Sequence, residues 1–160
     1  MLSSMAKGIQ TLHSTVEIFN KYTPNVSNDD AVDTETYDML YDWSLNHKTC
    51  VHLNGGTTPD MRELSQFLNN KANPYPWSSF NEDDSLGFLM TAISIVLPEK
   101  IYSAADQFRK IKRSFFSEEG HLCYYDVNLG VEFINVETNV KYSNFEQELV
   151  RVLIPYRMAS

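Results

Sequence analysis

The stretch His121–Asn135 reads HLCYYDVNLGVEFIN, with apolar or aromatic side chains at every second residue: Cys123, Tyr125, Val127, Leu129, Val131 and Phe133. Side chains alternate between the faces of a strand, so these six share one face. Asp126, Asn128, Gly130 and Glu132 fall on the other. The spacing predicts one long half-buried strand, or two strands folded about Asn128-Leu129-Gly130. Sheet is therefore part of the fold, and the flanking sequence supplies helices.

Downstream, Ser143-Asn144-Phe145-Glu146 is a capping box, which opens a helix bearing Phe145, Leu149, Val152 and Leu153 before Pro155. Upstream, Ile101, Ala104, Ala105, Phe108 and Ile111 keep helical spacing. The run Leu86–Leu97 is apolar almost all round and reads as a central core helix closed by Pro98. Before it, the segment 72–81 (ANPYPWSSFN) reads as a rigid connection, with Tyr75 and Trp77 as an exposed aromatic contact. Thr58 with Pro59 predicts a helix start, and Met61, Leu64, Phe67 and Leu68 mark its buried face. Tyr37, Met39, Tyr41, Trp43 and Leu45 alternate at period two and predict a strand. Val51 and Leu53 continue its phase, as in a hairpin about Asn46-His47 or one long interrupted strand. Tyr37, Leu40, Tyr41 and Leu45 also share a helical face.

At the N-terminus, Leu2, Met5, Ile9, Leu12, Val16 and Phe19 are spaced 3, 4, 3, 4 and 3. That is an apolar stripe on one helix face, close to a heptad seam, and Thr23-Pro24 stops it. The expected organisation is an amphipathic helix over residues 1–24, an acidic linker over 25–35, and a single α+β domain over 36–160. In that domain a mostly antiparallel sheet packs against several helices.

The chain has 160 residues, 21 acidic against 13 basic, for a formal charge of −8. That balance disfavours nonspecific binding to nucleic acid or anionic lipid, except where basic residues gather. They gather once, as Arg109, Lys110, Lys112 and Arg113. Such a cluster suits a helix C-terminus, or an anion-binding patch for a ribonucleoprotein or an acidic lipid. Cys50 and Cys123 are too far apart for a metal or redox CxxC motif, and Cys123 belongs to an apolar stripe. The four histidines make no HxxxH or HExxH pair. No phosphate-loop or nucleophile-elbow motif occurs, so neither an enzymatic activity nor a small-molecule substrate, metal or cofactor is expected. Residues 1–10 have no apolar signal core, and Leu86–Leu97 is too short to span a bilayer. A cytoplasmic location is expected, neither secreted nor transmembrane.

In order of elements, the chain resembles the rhabdovirus-type matrix proteins. The resemblance is carried by CVHLNGGTTPDMRELSQFL (Cys50–Leu68), DDSLGFLMTAIS (Asp83–Ser94), and YYDVNLGVEFIN into NFEQELVRVLI (Tyr124–Ile154). The basic, Pro-rich tail and the PPxY and PTAP motifs of such proteins are missing. What the resemblance implies is a non-enzymatic virion protein that self-associates and contacts the nucleocapsid and the membrane surface. The leading expectation is thus a structural or adaptor protein, a homo-oligomer acting through protein contacts. Its self-association helix carries the stripe Leu2–Phe19, and its binding patch is the 109–113 cluster. The alternative is an acidic inhibitor that masks a basic site on a partner through Asp29, Asp30, Asp33, Asp38, Asp42, Glu82, Asp83 and Asp84.

Overall fold

The computed structural model describes residues 4–23, 34–47, 49–51, 53–84, 87–126, 130–134 and 139–157. The α+β class holds, with antiparallel strands arranged as two small sheets. The chain packs as two compact units, residues 1–96 with 158–160 and residues 97–157. The boundary falls at Val96/Leu97, where the sequence reading draws none.

The first unit is built on a hairpin of β1 (Trp77–Asn81) and β2 (Met90–Ile95), paired from Trp77↔Ile95 to Asn81↔Met90 with an irregularity at Phe80/Asn81. Helix α1 (Ser4–Tyr22) packs on both strands, and α3 (Thr58–Leu68) packs on β2. Ile18 of α1, Leu40 of α2 (Thr34–Asp42) and Val96 form a small core, flanked by Phe19, Tyr22, Met39 and Trp43. Thr57 caps α3, one residue before the expected position. Its N–H and hydroxyl both donate to Asp60 Oδ2 at 2.7 Å, which holds the Asp60 carboxyl below its ordinary range.

Three expectations are corrected here. The segment Tyr37–Leu45 is helical: α2 runs into a π-helical turn, Trp43–His47, and there is no hairpin about Asn46-His47. Its aromatic residues fit both periods, and burial of Leu40 against Ile18 settles the helical one. The core helix expected over Leu86–Leu97 is instead strand β2. Gly87 and Phe88 both take positive φ, +68° and +52°, a conformation no α-helix continues through. Beyond them Thr91, Ile93 and Ile95 are β-branched and find a ladder partner in Trp77–Asn81. The 72–81 connection is therefore half strand, and Tyr75 and Trp77 are buried at 4% and 8% exposure, so they offer no exposed contact.

In the second unit, α4 (Glu99–Lys110) and α5 (Asn144–Leu153) pack together, and α4 touches the edge of a sheet ordered β3-β4-β5. Strand β3 is Ser114–Phe116, β4 is Leu122–Asp126 and β5 is Val131–Ile134. The 121–135 stretch is thus the folded version of its two readings, with Gly130 at φ +64° before β5. Its apolar stripe is only partly buried: Cys123 is inside, as is Leu122 of the opposite face, whereas Tyr125 and Val131 are exposed. Burial, with the nearby Glu132 charge adding to it, pushes the Cys123 thiol up.

The capping box at α5 forms as expected. Glu146 N–H donates to Ser143 Oγ at 3.2 Å and Ser143 N–H to Glu146 Oε2 at 2.7 Å. The other Glu146 oxygen takes Lys100 at 2.6 Å, tying the start of α5 to the start of α4.

Candidate interaction surface

Helix α1 carries two faces, and the structure uses them in an unexpected way. Written as heptads, the 3-4 stripe gives the a and d positions, while Gln10, Glu17, Ser14, Lys21, Thr11 and Ile18 fall at b, f and c. It is the b, c, f side that packs on the hairpin. Ser14 is fully buried and shares a 2.5 Å hydrogen bond with Ser94 Oγ, and its hydroxyl also reaches Thr11 O at 3.0 Å. Gln10 Nε2 donates to Glu82 Oε1 at 2.6 Å, and Thr91 Oγ1 donates to Gln10 Oε1 at 3.2 Å. Lys21 Nζ donates to Trp77 O at 3.1 Å and lies 4.2 Å from the Trp77 ring centre. Ile18 is the apolar anchor of this face, at 2% exposure.

The stripe faces the other way. Ile9, Leu12 and Val16 are 47%, 62% and 48% exposed. Phe19, at the end of the stripe, is drawn partly into the core beside Ile18 and Leu40. The Met5 side chain and Leu2 lie outside the described residues. The physical reason for this rotation is hydrogen bonding. Ser94, Thr91 and Glu82 give the hairpin surface a polar row, which Gln10 and Ser14 satisfy and a row of Leu and Ile would leave unpaired.

The same unit exposes a second apolar feature that the sequence reading counts as core. Phe88 (60% exposed) and Leu89 stand where β1 turns into β2, and the Glu82 N–H donates to Leu89 O at 2.9 Å. The only sequence signal for it is Gly87, a turn residue inside an otherwise apolar run.

Two members of the basic cluster, Arg109 and Lys110, have partners within the second unit. Arg109 donates from Nε to Ile154 O at 3.1 Å and from a terminal nitrogen to Leu153 O at 2.8 Å, closing the C-terminal carbonyls of α5. Lys110 pairs with Asp106 at 2.5 Å, one turn back on α4. Arg113 lies 5.8 Å from the Tyr125 ring centre and is exposed, as is Lys112. Arg109 is thus engaged by α5, while Lys110, Lys112 and Arg113 stay exposed.

Of the acidic set, Asp29, Asp30 and Asp33 lie outside the described residues. Glu82 accepts from Gln10 and Thr91, and Asp42 accepts from Asn46 and pairs with His47. Asp38, Asp83 and Asp84 are exposed. Among the described residues no group of His, Cys, Asp and Glu is placed to hold a metal ion. No helix among them is long and apolar enough to cross a membrane. A cavity of about 240 Å³ in the second unit, lined by Lys100, Ser103, Gln107 and Tyr142 among others, is smaller than usual ligand sites. Its one cation, Lys100, is held by Glu146.

Comparison with protein-family models, curated proteins and solved structures found no match.

Proposed function

We propose that the chain is a non-enzymatic structural or adaptor protein that works by self-association, with the outward face of α1 as its contact. One observation carries the reading. The helix satisfies its polar b, c, f face against its own hairpin and leaves Ile9, Leu12 and Val16 in water. Apolar surface in water is unfavourable by about 25 cal/mol per Å², so an aligned row of such residues gains from a cover. The virion half of the sequence-based expectation has element order alone behind it, and the helix expected at Leu86–Leu97 is a strand. The self-association half has the α1 surface.

The test is light scattering behind size exclusion, across a range of protein concentrations, on the full chain and on Leu12→Asp. Leu12 is the most exposed member of the row, so this change leaves the helical circular dichroism and melting temperature essentially unaltered. The expected result is a concentration-dependent oligomer that becomes monomeric in the variant. A monomer at every concentration in the unaltered chain overturns the reading.

A further inference from the structure

The turn between β1 and β2 offers a surface separate from α1. We infer that this turn docks on a different protein, against an apolar surface edged by Lys and Arg. Two apolar side chains stand in water there, Phe88 at 60% and Leu89 at 45% exposure. The backbone holds them beside acids. Phe88 N–H donates to Asp83 O at 3.3 Å, Gly87 N–H to Asp84 O at 3.0 Å, and Glu82 N–H to Leu89 O at 2.9 Å. Asp83 and Asp84 are exposed, and Glu82 is half-buried.

Charge selects the occupant. From residue 72 to residue 98 the only charged side chains are Glu82, Asp83 and Asp84, so no cation offsets them within the hairpin. The first unit as a whole carries twelve Asp and Glu against five Lys and Arg, a formal −7. An apolar pair flanked by three carboxylates is complementary to an apolar surface with a positive rim. It is repelled by anionic lipid and by the acidic first unit of a second copy. Phe88 adds a second sign. Its φ of +52° suits glycine and disfavours an aromatic residue, yet the ring it carries stays in water. The fold gains little from Phe88 at that position, whereas aromatic residues are enriched in the contacts between proteins.

The probe is an amphipathic helical peptide of Leu and Lys, titrated into the isotopically labelled full chain carrying Leu12→Asp, which removes the α1 contact. Two control peptides replace Leu by Ser or Lys by Glu. The expected result is that the amide signals of Asp83, Asp84, Phe88 and Leu89 shift with the Leu-Lys peptide and with neither control. Phe88→Gly should weaken that binding ~10-fold without lowering the melting temperature. Asp83→Asn with Asp84→Asn should weaken it and flatten its salt dependence. No shift at the turn, equal binding of the Ser-Lys peptide, or shifts centred on Ile9 and Val16 instead overturns the inference. Shifts at the turn that grow with protein concentration in the absence of peptide make a second copy the occupant and overturn it. Shifts produced by phosphatidylcholine vesicles make the occupant a membrane and overturn it too. A fall of several degrees in the melting temperature of Phe88→Gly makes Phe88 a structural residue, with the same consequence. Every one of these outcomes leaves self-association through α1 to its own test.

Discussion

Gly120 sits at φ +85°, and a Cβ there would fall 2.5 Å from the Tyr142 carbonyl oxygen, while Tyr142 N–H donates to Gly120 O at 2.9 Å. Backbone strain and a steric clash therefore coincide, and Gly120→Ala is expected to lower stability by ~1–3 kcal/mol, read by chemical denaturation. Asp60 gives a pH prediction. Its folded-state pKa is depressed by the Thr57 hydrogen bonds, so its contribution is present above the ordinary 3.8 and lost as pH falls through the folded value. Amides in the first turn of α3 should lose exchange protection on acidification toward that range, and Asp60→Asn should remove the dependence. Single residues were unevenly legible. Ser143 and Glu146 spelled out their cap, because a capping box is a local contact between positions three apart. Arg109 could not be recognised as the C-terminal clasp of α5, because the carbonyls it holds lie more than forty residues away.

At the scale of elements, that clasp separates the two roles open to the basic cluster. Arg109→Ala leaves the last carbonyls of α5 without a charged donor and should cost ~1.5–3 kcal/mol. Lys112→Ala and Arg113→Ala sit on exposed side chains and should change stability by less than about 0.5 kcal/mol. Comparing the three melting temperatures checks it. Helices α4 and α5 were readable because caps, breakers and apolar spacing all agreed. Two elements were not. Residues 37–45 are aromatic at positions that satisfy both period two and period 3.6, and only Ile18 and Val96, remote in sequence, choose between them. Residues 86–97 look all-apolar to either period, and their strand depends on Trp77–Asn81 as a ladder partner. The α1 stripe was legible as a pattern. Which face the protein buries was not, because the polar row of Glu82, Thr91 and Ser94 belongs to a hairpin the sequence reading did not place.

For the molecule as a whole, the formal charge of −8 sets how association should respond to salt. Two like-charged chains joined by an uncharged seam repel at long range, and salt screens that repulsion within a Debye length of about 8 Å at physiological strength. Association through α1 should therefore tighten as salt rises from about 10 to 150 mM, measured as a lower midpoint concentration for oligomer formation. Contact through the 109–113 cations would show the opposite slope.

The Ser14–Ser94 hydrogen bond has a consequence of its own. A cylinder with one oily side can rest on a neighbour at either of two angles, and the paired hydroxyls are one of the catches, with Gln10, Ile18 and Lys21, that keep α1 oily side out. Replacing Ser14, Ser94, Gln10 and Lys21 together by alanine removes the polar catches. A roll of roughly half a turn would then let the helix hide its own seam, leaving a chain that keeps every seam residue and yet stays single.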